Sequence, residues 1–278
     1  MRDFAWHWDR SLYAGSAPHY VRGRLPYPSG LVEALRAELD LDGTGRLLDV
    51  GCGPGSLTLS LAPLFDAAVG VDADADMLAE ADRAAVARGL HTVVWRQLRA
   101  EDLPADLGTF RVVTFAQAFH WMDQPLVARR VRGMLADGGS WVHVSATTHR
   151  GSAADERSAH PQPPWQHIDE LVAAYLGPVR RAGRGVLPQG TRSGEEDVMR
   201  DAGYAGPRRL DIHWGDIVTR RVDDVVDAVF SLSGSAPHLF GDRRRQFEGD
   251  LRELLVTASP SGLFAERTAD VGVVIWRA

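Results

Sequence analysis

The chain contains no lysine; all 31 of its basic side chains are arginine. Schiff-base chemistry on a lysine amine and a Walker-type phosphate lysine are therefore excluded. The arginine bias, with abundant alanine and glycine, is the mark of a GC-rich genome. A single cysteine, Cys52, leaves no internal disulfide and no cysteine cluster for a metal. No apolar run approaches the roughly 20 residues that a membrane helix needs. Basic charge is in deficit, with a formal net charge of −6, whereas a general nucleic-acid binder carries a basic surplus. The first ten residues hold Asp3, His7 and Asp9 among aromatics, unlike a signal peptide. The expectation is a cytoplasmic protein with neither membrane nor nucleic acid as partner.

What is present is core-forming. Hydrophobic residues make up 45% of 278, enough for one large domain over 1–278. Two stretches interrupt it. An aromatic flap over 1–28 concentrates Phe4, Trp6, Trp8, Tyr13, Tyr20 and Tyr27 among prolines and glycines. A segment rich in Ser, Pro, Gly and charge over 147–192, broken by one amphipathic stretch at 168–176, reads as a lid insertion.

Between and after these, helix and strand patterns alternate. Ser29 is placed to cap a helix with Leu31, Val32, Leu35 and Leu39 on one face. Strands are predicted at 46–50, 67–72, 91–97, 110–116 and 140–145, the last entered through Asp137-Gly138-Gly139. Helices are predicted at 56–64 and 74–88. Further on come a capping box at Ser193-x-x-Glu196, a strand at 208–214, helices at 222–230 and 244–256, and a closing strand at 271–276. The alternation predicts an α/β fold with a parallel sheet covered on both faces.

The most informative run is Leu47 to Gly55, an apolar strand ending in Asp49, then Gly51, Gly53 and Gly55, then a helix. Three residues without Cβ atoms let a ligand lie against the backbone, and the helix offers free N–H groups. Asp72 follows at the tip of the second strand, where Rossmann-like folds hold ribose hydroxyls. A dinucleotide fingerprint would need its third glycine at Ser56, and Asp49 would repel a pyrophosphate. An ordinary strand–helix turn is the plain alternative.

Asp49-x-Gly51-x-Gly53-x-Gly55 resembles motif I of the class I S-adenosylmethionine-dependent methyltransferases. Three other stretches resemble one small-molecule subgroup of that family. Tyr20-x-Arg22-x-Arg24-x-x-Tyr27-Pro28 is similar to Y-x-R-x-R-P-x-Y-P, with Leu25 in place of the first proline. Leu98-Arg99-Ala100-Glu101-Asp102-Leu103-Pro104 is similar to G-D-A-E-x-L-P, with Arg99 where the acid stands. Ala116 to Trp121 matches A-Q-A-F-H-W.

The resemblance implies a Rossmann-like seven-stranded, mostly parallel sheet whose last strand inserts antiparallel. It implies S-adenosyl-L-methionine as cofactor and S-adenosyl-L-homocysteine as product. Asp49 and the glycine turn would hold the methionine end, Asp72 with Ala73 the ribose, and Ala100 with Glu101 the adenine. Gln117 would lie near the methyl group. Arg24 would pair with the cofactor carboxylate or be a solvated arginine. His120 would be a general base or a structural cap. Phe119, Trp121 and His238 would border the acceptor, a small molecule methylated at oxygen or nitrogen, either a carboxylic acid or a secondary metabolite. The other histidines show no metal-ligand spacing, and the N/D-P-P-Y/F tetrad of DNA amino-methyltransferases is absent after strand four. Two rivals remain: a non-catalytic nucleoside-binding module on the same fold, and a nicotinamide-dependent oxidoreductase.

Overall fold

The structure is a computed structural model and describes residues 9, 11–154, 158–182, 185–186, 194–213 and 215–278. It divides into two compact units. A sheet unit comprises Leu25–Gly151, Ser193–Asp216 and Arg267–Ala278; a helical unit comprises Met1–Arg24, Ser152–Arg192 and Ile217–Glu266.

The sheet unit is built on seven strands: β1 (Arg46–Val50), β2 (Ala67–Asp72), β3 (Val93–Gln97), β4 (Phe110–Ala116), β5 (Leu135–Ser145), β6 (Ala205–Ile212) and β7 (Val271–Arg277). Their order is β3-β2-β1-β4-β5-β7-β6. β1 to β5 pair in parallel, and β7 runs antiparallel to both β5 and β6. This is the α/β arrangement expected from the alternating pattern. Alternate residues of each strand feed opposite faces. Leu48, Val50, Val113, Phe115 and Trp141 enter one core, and Leu47, Val112, Val142 and Val144 the other. The strand order reverses between β1 and β4, which is where open α/β sheets form a ligand crevice.

Several boundaries differ from the sequence expectation. The helix Ser29–Glu38 begins at Ser29 itself, with Pro28 in the cap position, because an extended proline suits the entry to a helix. β5 starts at Leu135 rather than 140: Phe110 pairs with Leu135 before a register shift, so the Asp137-Gly138-Gly139 turn lies inside the strand as an irregularity. β6 runs from Ala205 because its pairing with β7 extends to Ala205 opposite Arg277. The helix Glu195–Asp201 is preceded by Gly194 in the left-handed region. Ser193 of the expected capping box, Trp214, and Phe4, Trp6 and Trp8 lie outside the described residues.

The helical unit centres on Ile168, Val226, Phe230, Phe247, Leu251 and Phe264, with Phe240 stacked on Phe247 at 4.0 Å. The helix Ala17–Gly23 lies across the helix Val222–Phe230 so closely that a Cβ on Gly23 would overlap the backbone of Asp227 and Ala228. Ser16 Oγ donates to the Phe230 carbonyl at 2.8 Å, and Arg22 Nε donates to Asp227 Oδ2 at 2.7 Å. A fully buried pair, Arg220 and Glu266, meets at 2.9 Å. Trp165 Nε1 donates to Glu266 at 2.6 Å, and Arg220 Nη2 donates to the carbonyls of Gly23 and Asp224. Every polar atom of that ion pair named here has a partner, which is the condition for burying one.

Candidate functional site

The tip of β1 turns sharply because Gly51, Gly53 and Gly55 all take positive φ, at 69°, 53° and 78°. Their surroundings differ. A Cβ on Gly51 would lie 2.5 Å from the Ala118 Cβ, and one on Gly55 would lie 2.8 Å from the Trp95 ring. A Cβ on Gly53 would meet nothing within 4 Å. Gly51 and Gly55 are thus glycine because protein fills the space. At Gly53 the backbone is bare and the adjoining space is clear, as a ligand pressed against the main chain requires.

Asp72, at the end of β2, is locked to this turn. Its Oδ2 accepts the Gly53 N–H at 2.8 Å and its Oδ1 accepts the Asp74 N–H at 2.9 Å. One lone pair on each oxygen stays available, the pattern that a vicinal ribose diol can meet. Burial pushes this carboxyl up to about 6, offset in part by the two backbone donors. A ligand that donates two hydroxyl groups would relieve that burden.

Asp49 sits deeper. It is 1% exposed, with Thr58 Oγ1 donating to Oδ2 at 2.5 Å and Thr114 Oγ1 donating to Oδ1 at 2.7 Å. The β1–β4 register sets Asp49 directly opposite Thr114. Burial raises its carboxyl above the usual range, and the two threonine hydroxyls pull it back. Both of its oxygens are thus taken by threonine hydroxyls beside the glycine turn.

The second wall of the crevice comes from the end of β4. Gln117 has φ +55°, a left-handed conformation rare for a residue with a side chain. It is held by its own N–H on the Val144 carbonyl at 3.1 Å and its Nε2 on the Ala146 carbonyl at 2.7 Å. Asp49, the glycine turn, Asp72, Ala73 and Gln117 are thus gathered at the C-terminal ends of β1, β2 and β4. Acid, bare backbone and a ribose-type carboxylate fit an adenosyl group carrying a cationic sulfonium.

Comparison with known proteins bears directly on this crevice. The methyltransferase domain family matches residues 47–139, the stretch that builds it. The uncharacterized methyltransferase Rv3342 of Mycobacterium tuberculosis is 34% identical over 204 residues, covering 73% of this chain and 75% of that protein. The chain is a class I S-adenosylmethionine-dependent methyltransferase. The uncharacterized methyltransferase YcgJ of Bacillus subtilis is 30% identical over 116 residues, and there the match spans about half of the relative, 46%. Among solved structures, one described as a type II methyltransferase from Anaeromyxobacter dehalogenans superposes with a TM-score of 0.50 at 20% identity. It covers 91% of this chain and 96% of that one, and shares the fold.

Other residues of the methyltransferase fall in different places. Ala73 offers its carbonyl to Gln97 Nε2 at 3.2 Å. Ala100 is buried in the core beneath the turn that follows β3. The Glu101 carboxylate accepts the Asp123 N–H at 2.9 Å and lies 3.3 Å from Arg99 Nη2, so Arg99, out of step with the family pattern, is an ion-pair partner. Phe119, expected to border the acceptor, is placed in the core. It is 1% exposed and packs edge-on against Phe115 and Trp141 at 5.4 and 4.9 Å, because the turn after β4 drives it down into the core. Trp121 is half-buried and lies 5.5 Å from the His120 ring.

His120 is half-buried, and this burial pulls its imidazole down to about 4. The Glu195 carboxylate raises it in part and His143 lowers it further. His143 and Glu195, which carried no motif, form a pair at 3.0 Å, with Gln124 Nε2 on the other Glu195 oxygen at 3.2 Å. Arg24 and His238 belong to the helical unit. Arg24 Nε donates to Ser231 Oγ at 2.7 Å, and its guanidinium lies 4.4 Å from the Tyr20 ring centre. His238 Nδ1 donates to the Ala14 carbonyl at 3.2 Å.

Among the described residues, no helix is long and apolar enough to cross a membrane. Thr58, Thr114, His143 and Glu195 escaped the sequence reading. Thr58 had one usable signal: a buried acid before a glycine turn needs donors, and the next helix is the nearest source.

Proposed function

We propose that this methyltransferase acts in the cytoplasm on a small-molecule acceptor at oxygen or nitrogen, with carboxylic acids and secondary metabolites as the classes to screen. The observation that carries the reading is the Gly53–Asp72 link: a carboxylate fixed by a backbone N–H at 2.8 Å beside a glycine with open space at its Cβ position. Asp72 would take the ribose hydroxyls, with Ala73 beside it. The backbone from Gly51 to Gly55 would carry the methionine end in the field of Asp49. Ala100 would approach the adenine through its main chain, with Glu101 holding that turn against Asp123. Gln117 would set the wall nearest the methyl group.

When bound, S-adenosylmethionine supplies a methyl group on a sulfonium, already activated for in-line displacement. The protein's work is then chiefly orientation, worth about 7–11 kcal/mol. A general base would add about 3–5 kcal/mol, and works best with a pKa near the working pH. His120, pulled down to about 4 by burial, is neutral at pH 7 and a weak base there. That supports a positioning role for His120 and acceptors that arrive already nucleophilic, such as a carboxylate, ahead of alcohols that must lose a proton.

Calorimetric titration with S-adenosylhomocysteine tests the cofactor site. Micromolar affinity that Asp72→Ala loses, with the variant still folded by circular dichroism, is the expected result. A folded wild-type chain that fails to bind would overturn the reading. Positive binding justifies screening carboxylates first for methyl ester formation.

A further inference from the structure

Four residues other than glycine take positive φ among the described residues: Asp40, Ala105, Asp106 and Gln117. The first three lie in turns. Gln117 alone directly follows a strand of the seven-stranded sheet, at φ +55°. A left-handed backbone is costly for a residue with a Cβ and free for glycine. A side chain kept at that cost marks a functional constraint.

The orientation of this side chain follows from its partner. The Ala146 carbonyl can only accept, so the amide atom 2.7 Å from it is the donor, Nε2. Oε1 stands on the other arm of the amide fork and takes no hydrogen bond from the described residues. The backbone N–H is spent on the Val144 carbonyl at 3.1 Å. Both donors of Gln117 are thus tied to the end of β5, and an acceptor oxygen on a half-buried residue is left over.

The charged side chains gathered with it at these strand ends, Asp49 and Asp72, are carboxylates. An unpaired carbonyl oxygen in that company attracts a cation, and a neutral thioether has no hydrogen to offer it. We infer that Gln117 Oε1 is a specificity-determining group that reads positive charge at the reacting centre. It favours the sulfonium methyl donor over the neutral thioether product. The inference rests on the cofactor reading above and deepens it. Charge on the sulfur falls as the methyl group leaves, so a contact strongest on the cation does not speed the transfer itself. It assists the exchange of product for fresh donor.

Sinefungin, which carries an ammonium group where the sulfonium stands, and S-adenosylhomocysteine provide the test. Each is titrated by calorimetry into the full chain at pH 7.5. Gln117→Met and Gln117→Gly should each lower the preference for sinefungin by at least about tenfold, the scale of one hydrogen bond to a charged group. Affinity for S-adenosylhomocysteine should change less than about threefold, and Gln117→Glu, which keeps an oxygen there, should retain the preference. Glycine adopts φ +55° without strain, so that variant serves if the methionine one does not fold. A preference that neither variant moves would overturn the inference. So would affinities for both ligands that fall together, the pattern of a residue that only shapes the turn. A folded wild-type chain that binds neither ligand would overturn the cofactor reading and this inference with it, a result distinct from the other two.

Discussion

Asp72→Asn should become progressively more favourable to stability, relative to the wild type, as the pH rises from 5 to 8. Burial lifts the Asp72 carboxyl from 3.8 to about 6 in the folded protein. Such a raised group contributes stability that is complete below the unfolded value and is lost as pH climbs through the folded one. Over the whole window this amounts to about 3 kcal/mol, at 1.36 kcal/mol per tenfold change in proton affinity. Roughly 1.6 kcal/mol is already gone by pH 5, where the unfolded chain is ionised and the folded one mostly is not. About 1.4 kcal/mol therefore falls between pH 5 and pH 8.

Asparagine has a single acceptor oxygen for the Gly53 and Asp74 N–H groups, a cost of about 1–3 kcal/mol that does not vary with pH. Urea midpoints for both proteins at each pH give the difference directly, and titrations common to the two largely cancel. A difference that stays flat across the range, or moves toward the wild type, would refute the claim that an ionised Asp72 is held against its own burial. The same linkage predicts S-adenosylhomocysteine affinity about tenfold weaker at pH 5 than at pH 8. The form competent to accept ribose hydroxyls is about a tenth populated at pH 5.

Thr58→Val and Thr114→Val should each cost about 1.5–3 kcal/mol in thermal melts, since each removes a hydroxyl donor from the buried Asp49 side chain. Gly53→Ala should cost only about 1–2 kcal/mol for its left-handed backbone yet lower S-adenosylhomocysteine affinity by at least a hundredfold, whereas Gly51→Ala should damage folding itself through the clash with Ala118. Paired melting and calorimetry separate the two. Glu266→Gln should lose about 3–5 kcal/mol in urea titration by stranding Arg220, and the double change Arg220→Met with Glu266→Leu should recover most of it. His120→Asn should lower the turnover of a carboxylate acceptor by less than tenfold in a steady-state assay, because a group held near 4 supplies little base catalysis.

What the sequence made legible was whatever adjacent residues decide. The turn from Gly51 to Gly55 is readable because three positive φ angles leave three glycines in a short span, and β4 because a strand with five of its seven residues buried makes an almost unbroken apolar run. The helix Ala17–Gly23 was hidden by Pro18, which reads as a breaker but stands in the first turn, where no N–H is missed. The direction of Phe119 was not legible because a motif names an aromatic without its orientation, and only Phe115 and Trp141 beneath it determine that it packs inward. Partners far along the chain were invisible. Asp49 needs Thr114, 65 residues away, and nothing local to either residue announces the pair. The Trp95 indole requires a glycine at both 55 and 70, so one of the motif glycines answers to the packing of β3 as well as to the turn. Of the three motif glycines, then, only Gly53 faces clear space, and a conservative methyl added there is the change that most cleanly separates binding from folding.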